Sequence, residues 1–121
     1  MGRILIVDDD PFYREGIKRV AGRVYEIETA ASGAEGLHLL RHNGPFSVVV
    51  SDLKMVGMSG IEFLRELRKL PEGDQPLVVF CTTENDMAHI QEALAAGANE
   101  YIMKPFDSEI IETKFSQIGL L

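Results

Sequence analysis

The sequence predicts an α/β chain of five strand–helix units, (βα)5, doubly wound around one open parallel five-stranded sheet. Five short apolar runs carry the strands: Ile4–Val7, Tyr25–Thr29, Val48–Val50, Leu77–Cys81 and Tyr101–Met103. Three of them are rich in β-branched residues and nearly continuous rather than alternating, the pattern of strands covered on both faces. Segments with apolar residues at helical spacing separate the runs. Right-handed crossovers then place helices on both sides of the sheet.

Four of the five helices have a start signal. The first is expected from Pro11 to Ala21, with Pro11 at the first helical position, Asp10 as cap, and Ile17, Val20 and Ala21 inward. The second follows Ser32, where Ser32 and Glu35 suggest a capping box and Leu37 and Leu40 an apolar stripe. The third begins near Ser59, with Ser59 and Glu62 as another box and Ile61, Leu64 and Leu67 buried. The fourth spans Asn85 to Ala96, using Ile90, Ala93 and Leu94. The fifth follows Asp107, carries Ile110, Ile111, Lys114, Phe115 and Ile118, and stops at Gly119.

With 121 residues the chain is expected to form one domain, 1–121, without an effector domain. The start, MGRILIVDDD, turns acidic by residue 8, unlike a signal peptide, and no apolar run approaches a membrane span. A cytoplasmic location is the expectation. The single cysteine, Cys81, lies in an apolar run and reads as a small buried hydrophobe. The net charge of -7 falls entirely in residues 71–121, because residues 1–70 balance ten bases against ten acids. Without a basic patch the chain is a poor nucleic-acid binder. Its acidic half suits a partner with a basic or mixed surface, or is a solvated face.

Sites in open α/β sheets form beyond the carboxyl ends of the strands. Here the first strand ends in Asp8, Asp9 and Asp10, the third in Asp52, the fourth in Thr82 and Thr83, and the fifth in Lys104 and Pro105. Carboxylates held together repel, and a hard divalent cation relieves the repulsion; oxygen ligands with spare water positions suit Mg2+. With a lysine and a hydroxyl, such a set makes a receptor for a phosphoryl group. Asp10 is better explained as the helix cap. The turn VDDDP has no glycine, so a dinucleotide fingerprint is absent, and so is the GxxxxGK[ST] loop. His38, His42 and His89 fall in helical segments, without evident metal spacing, and read as surface or structural residues.

The segments VDDD (7–10), SDLKM (51–55), MSG (58–60), FCTTEND (80–86) and AGANEYIMKPF (96–106), taken in order and spacing, closely resemble the receiver domain of bacterial two-component response regulators. The likeness covers essentially the whole chain. It is greatest to the stand-alone chemotaxis regulators, and the stretch from FCTTEND to the terminal KFSQIGLL resembles their alphaproteobacterial versions.

That resemblance implies the flavodoxin-like strand order 2-1-3-4-5 and a role for each matching residue. Asp52 matches the phosphoacceptor, Asp9 a direct Mg2+ ligand, Asp8 a ligand acting largely through water, and the Lys54 backbone carbonyl the third protein ligand. Lys104 matches the lysine that pairs with the phosphoryl group, and its bond to Pro105 is expected to be cis. Thr82 matches the switch hydroxyl and Tyr101 the aromatic that follows it inward. Lys54, Thr83 and Glu84 stand where the family tunes hydrolysis, and Lys54 and Glu84 are expected to approach each other over the pocket. Val56 replaces a common proline, which implies a looser loop.

The implied function is signalling rather than classical enzymology: the domain catalyses only its own phosphorylation and dephosphorylation. A histidine kinase is the implied donor. The fourth helix, fifth strand and fifth helix form the implied output face. A monomer binding the flagellar motor switch is the leading reading. The alternatives are a phosphate sink or shuttle to a phosphatase or histidine phosphotransfer protein, and a cell-cycle or developmental adaptor.

Overall fold

A computed structural model describes residues 2–83 and 87–121. Five parallel strands, β1 (Arg3–Val7), β2 (Glu26–Ala30), β3 (Val48–Asp52), β4 (Leu77–Thr82) and β5 (Glu100–Met103), lie in the order β2-β1-β3-β4-β5. They alternate with α1 (Pro11–Ala21), α2 (Gly33–Asn43), α3 (Gly60–Leu67), α4 (Met87–Ala95) and α5 (Ser108–Gln117), and a 3-10 turn occupies Glu72–Asp74. This is the predicted doubly wound (βα)5 architecture and the implied strand order.

The continuous apolar strands are explained by two separate cores. Successive side chains of a strand point to opposite faces. Leu5, Val7, Val49, Val78 and Phe80 meet Leu37 and Leu40 of α2, Phe63, Leu64 and Leu67 of α3, and Ile90 and Ala93 of α4. Ile4, Ile6, Val48, Val50, Val79, Cys81 and Ile102 meet Ile17, Val20 and Ala21 of α1 and Ile111 and Phe115 of α5. Every residue of β3 is buried. Full burial of a Leu, Ile or Phe side chain contributes roughly 1.5–3 kcal/mol, so both faces of the central strand favour the fold. Cys81 is a free, buried thiol whose pKa burial pushes up, as its place in an apolar run suggested.

The start signals hold with one variation. Asp10 accepts from the N–H of Phe12, Ser59 and Glu62 form a complete capping box, and Asp107 caps α5 through the N–H of Ile110. At α2, Ser32 caps the N–H of Glu35, but the Glu35 carboxylate accepts from Ala31 rather than closing the box on Ser32. Two expectations are corrected. Leu94 is 41% exposed: Ile90 and Ala93 set the inner stripe of α4, and Leu94 is turned about 100° from Ala93. β2 lies one residue later than expected, because Tyr25 precedes it and donates its hydroxyl to the Leu120 carbonyl at 2.8 Å. His38 and His42 are exposed on α2, as expected, and their four-residue spacing brings the ring centroids to 4.4 Å. Asn85, the expected start of the fourth helix, lies outside the described residues.

Two glycines shape the β3–α3 loop. Gly57 has φ +85°, a left-handed conformation that favours glycine. Gly60 lies so close to the end of β3 that a Cβ there would stand 2.7 Å from Leu53 Cα and its carbonyl oxygen and 2.8 Å from the Asp52 carbonyl oxygen. These are backbone atoms at the strand carrying the candidate site, so they yield only if the strand end moves. Gly60→Ala is expected to lower stability by about 1–3 kcal/mol, read from urea unfolding, and to shift the amide resonances of Asp52 and Leu53.

Candidate functional site

Register builds the site. Val7 pairs with Ser51, so the next residues, Asp8 and Asp52, emerge side by side at the carboxyl edge. Asp52 pairs with Cys81 and Thr82 with Met103, which brings Thr82 and Lys104 to the same edge. Lys104 is fixed by its N–H, which donates to the Thr82 carbonyl at 2.6 Å, and the Lys104–Pro105 peptide is cis, as expected.

Asp8, Asp9 and Asp52 each place a carboxylate oxygen within 4.8 Å of the other two. Asp8 is 1% exposed and Asp52 8%, while Asp9 is open to solvent. The Lys104 ammonium lies between the buried pair, 3.2 Å from Asp8 Oδ2 and 3.4 Å from Asp52 Oδ1. Asp8 Oδ1 also accepts from the N–H of Asp10 at 2.9 Å, and Asp52 Oδ1 from the N–H of Lys54 at 3.3 Å.

The electrostatics follow from burial and like charge. Desolvation pushes the Asp52 carboxyl up to about 6, Asp8 adds repulsion, and Lys104 opposes both. Desolvation also raises Asp8, against the Asp10 N–H and Lys104. Burial alone would lower Lys104, but Asp52 and Asp8 outweigh it and its ammonium is held above the usual range. Two buried carboxylates sharing one lysine, beside a third, are an electron-rich oxygen cluster of the kind a hard divalent cation stabilises. The donor set therefore fits such an ion.

The other expected residues fall around this cluster. Thr82 is buried and its Oγ1 donates to the Thr83 carbonyl at 3.3 Å, while the Thr83 side chain is exposed. Tyr101 is half-buried on β5, with Lys114 Nζ 5.8 Å from its ring. Lys54 is exposed just past β3, and Val56 is 87% exposed in the following loop. Glu84 lies outside the described residues, as does its expected approach to Lys54. Two contributors escaped the sequence reading. Arg14 Nη1 donates to the Asp8 carbonyl at 2.8 Å, and the Tyr13 ring lies under Lys104 Nζ at 4.2 Å. The available signal was their place in the first turn of the helix that Asp10 caps, which turns them back toward the strand ends.

The fold and site define an open α/β domain with an acidic, lysine-bridged pocket at the carboxyl edge of its sheet. The family model for the response regulator receiver domain matches residues 4–116, and the chain belongs to that family. A CheY homologue of Campylobacter jejuni is 30% identical over 118 residues, covering 96% of this chain and 91% of that protein. Chemotaxis protein CheY1 of Helicobacter pylori is also 30% identical, over 96% of this chain and 95% of its own. Among solved structures, Vibrio cholerae CheY4 superposes with TM-score 0.87 at 31% identity, covering 98% of each chain. A CheY-like receiver domain from Methanospirillum hungatei superposes at 0.84 and 33% identity, over 98% of this chain and 93% of the other. These relatives are signalling proteins rather than classical enzymes. Among the described residues, no helix is long and apolar enough to cross a membrane.

The raised Asp52 pKa has a definite sign for stability. The folded state holds the proton more tightly than the unfolded state, whose ordinary value is 3.8. The contribution is thus fully present below pH 3.8 and is lost as pH rises through about 6. In chelator, Asp52→Asn is expected to exceed the wild type in stability by roughly 2–3 kcal/mol at pH 7, and to match it near pH 4. Denaturant titrations at the two pH values measure this.

Proposed function

We propose that this domain accepts a phosphoryl group from a histidine kinase on Asp52 and relays it as a signal. The observation that carries the reading is Lys104 bridging Asp8 and Asp52 at 3.2 and 3.4 Å, with Asp9 completing the acid cluster. An Asp52 carboxylate oxygen attacks phosphorus; the P–N bond of the donor phosphohistidine breaks and the imidazole keeps the electron pair, taking up a proton. The product is an acyl phosphate. Mg2+ held by Asp9, Asp52, the Lys54 carbonyl and, through water, Asp8 would neutralise charge on the transferring oxygens. Lys104 supplies a second positive charge from a position already set by the sheet, so alignment needs little reorganisation.

Hydrolysis returns the group as inorganic phosphate when water attacks phosphorus and the Asp52 carboxylate leaves. Lys54, Thr83 and Glu84 are the proposed regulators of that water's access. The Thr82 hydroxyl donates to the Thr83 carbonyl over a long 3.3 Å, a weak bond to give up for a phosphoryl oxygen. Half-buried Tyr101 would then move inward, biasing the α4–β5–α5 face between two arrangements. That face exposes Leu94, Met103 and Ile110, apolar side chains suited to a protein partner. The likeness to chemotaxis regulators favours a flagellar motor switch protein as target, with the domain acting as a cytoplasmic monomer; a phosphorelay sink or shuttle is the second reading.

Phosphoryl transfer from an autophosphorylated histidine kinase, or from acetyl phosphate, is expected to label the wild type in Mg2+ and not in chelator. Asp52→Asn is expected to take no label; labelling of that variant would overturn the assignment. Lys54→Ala is expected to change the dephosphorylation rate about two- to tenfold, followed by loss of label in a chase. An unchanged rate would remove Lys54 from the hydrolysis machinery.

A further inference from the structure

Lys104 is held by more than its two carboxylates. Its side chain is 9% exposed, and Asp8 and Asp52 occupy two sides of the ammonium. The face of the Tyr13 ring covers another, with Nζ 4.2 Å from the ring centroid. The ring's own orientation is set from two directions. Phe106, buried and two residues beyond Lys104, meets it at 4.9 Å and 57°. Phe12 meets it edge-on at 5.2 Å and 87°. Phe12 is 65% exposed, Phe106 belongs to the core on the α1 and α5 side, and Tyr13 packs against that core. The charged group over the Tyr13 ring face is the Lys104 ammonium.

We propose that Tyr13 is a positioning residue for phosphoryl transfer, a cation–π backstop that keeps the Lys104 ammonium between Asp8 and Asp52. This rests on the reading of Asp52 as phosphoacceptor. The physical case concerns what a ring face can do that another carboxylate cannot. An aromatic face attracts an ammonium without directional hydrogen bonds and without adding negative charge to a crowded acidic pocket. Lys104 can therefore turn from a carboxylate oxygen toward a phosphoryl oxygen while the contact behind it persists. A third acid there would hold the lysine in competition with the phosphoryl group and add to the repulsion already acting on Asp52. An aliphatic side chain of similar size would pack on Phe106 but leave the ammonium with no attraction on that side. The flexible lysine stem would then sample positions outside the pocket.

Tyr13→Phe keeps the ring and Tyr13→Leu keeps an apolar side chain, so the pair separates attraction from packing. With acetyl phosphate and Mg2+, Tyr13→Leu is expected to phosphorylate about tenfold more slowly than the wild type, and Tyr13→Phe within about twofold of it. A readout independent of activity comes from NMR of the metal-free proteins. The Lys104 ε-methylene protons should show an upfield ring-current shift in the wild type and Tyr13→Phe, lost in Tyr13→Leu. Equal rates in the wild type and Tyr13→Leu would overturn the inference and leave Asp52 untouched. Slow transfer in both variants would also overturn it, by assigning the role to the hydroxyl. Absence of labelling in the wild type would remove both readings. Should Tyr13→Leu not fold, Tyr13→Met carries the same comparison.

Discussion

Asp8 and Asp52 stand side by side at the end of adjacent strands, both nearly removed from water. Left to themselves they could not both stay ionised at neutral pH. Lys104 reaches both, and its own ammonium is stabilised by them in turn. Much of the molecule serves to hold this three-way balance. The parallel register aligns the strand ends, two cores clamp β3 from both faces, and Gly60 lets α3 begin against the carbonyl of Asp52 itself. Asp10 caps α1, and that first turn returns Arg14 to the Asp8 carbonyl and Tyr13 to Lys104.

The balance is incomplete by construction. One lysine faces two buried acids and a third nearby, so the pocket keeps an excess of negative charge. That excess makes the site receptive to a divalent cation and leaves Asp52 less acidic than an ordinary carboxyl. A site optimised for stability alone would pair its charges fully or replace them with apolar groups. The cost is carried by cores in which Phe63, Phe80 and Phe115 are fully buried. The proposed signal uses the same imbalance, since a phosphoryl group on Asp52 adds charge beside Thr82, whose bond to the Thr83 carbonyl is a long 3.3 Å.

Most of the fold was legible because its signals are local. Continuous β-branched runs, Ser59 with Glu62, and Asp10 followed by Pro11 each fixed an element within a residue or two. Leu94 was misplaced because a short helix offers two adjacent apolar positions and only packing against α3 selects the stripe. Tyr25 read as strand because its β propensity is real, yet its hydroxyl is drawn to the carbonyl of Leu120, 95 residues away. In the site, the strand-end acids and Lys104 announced themselves by type and position. Tyr13 and Arg14 did not, because an aromatic and a basic residue in a first helical turn are ordinary until tertiary structure shows Lys104 and the Asp8 carbonyl beside them. Strand order was also beyond local signals and came through resemblance to a family.

The proposed phosphoryl chemistry stands on a divalent-cation site built around Asp52 from the excess charge that it shares with Asp8 and Asp9. Calorimetric titration of Mg2+ into the wild type and Asp52→Asn at pH 7.5 tests it most directly. One saturable site is expected in the wild type, weakened at least about tenfold when Asp52 loses its charge. No saturable binding to the wild type, or equal affinity in the two proteins, would contradict it.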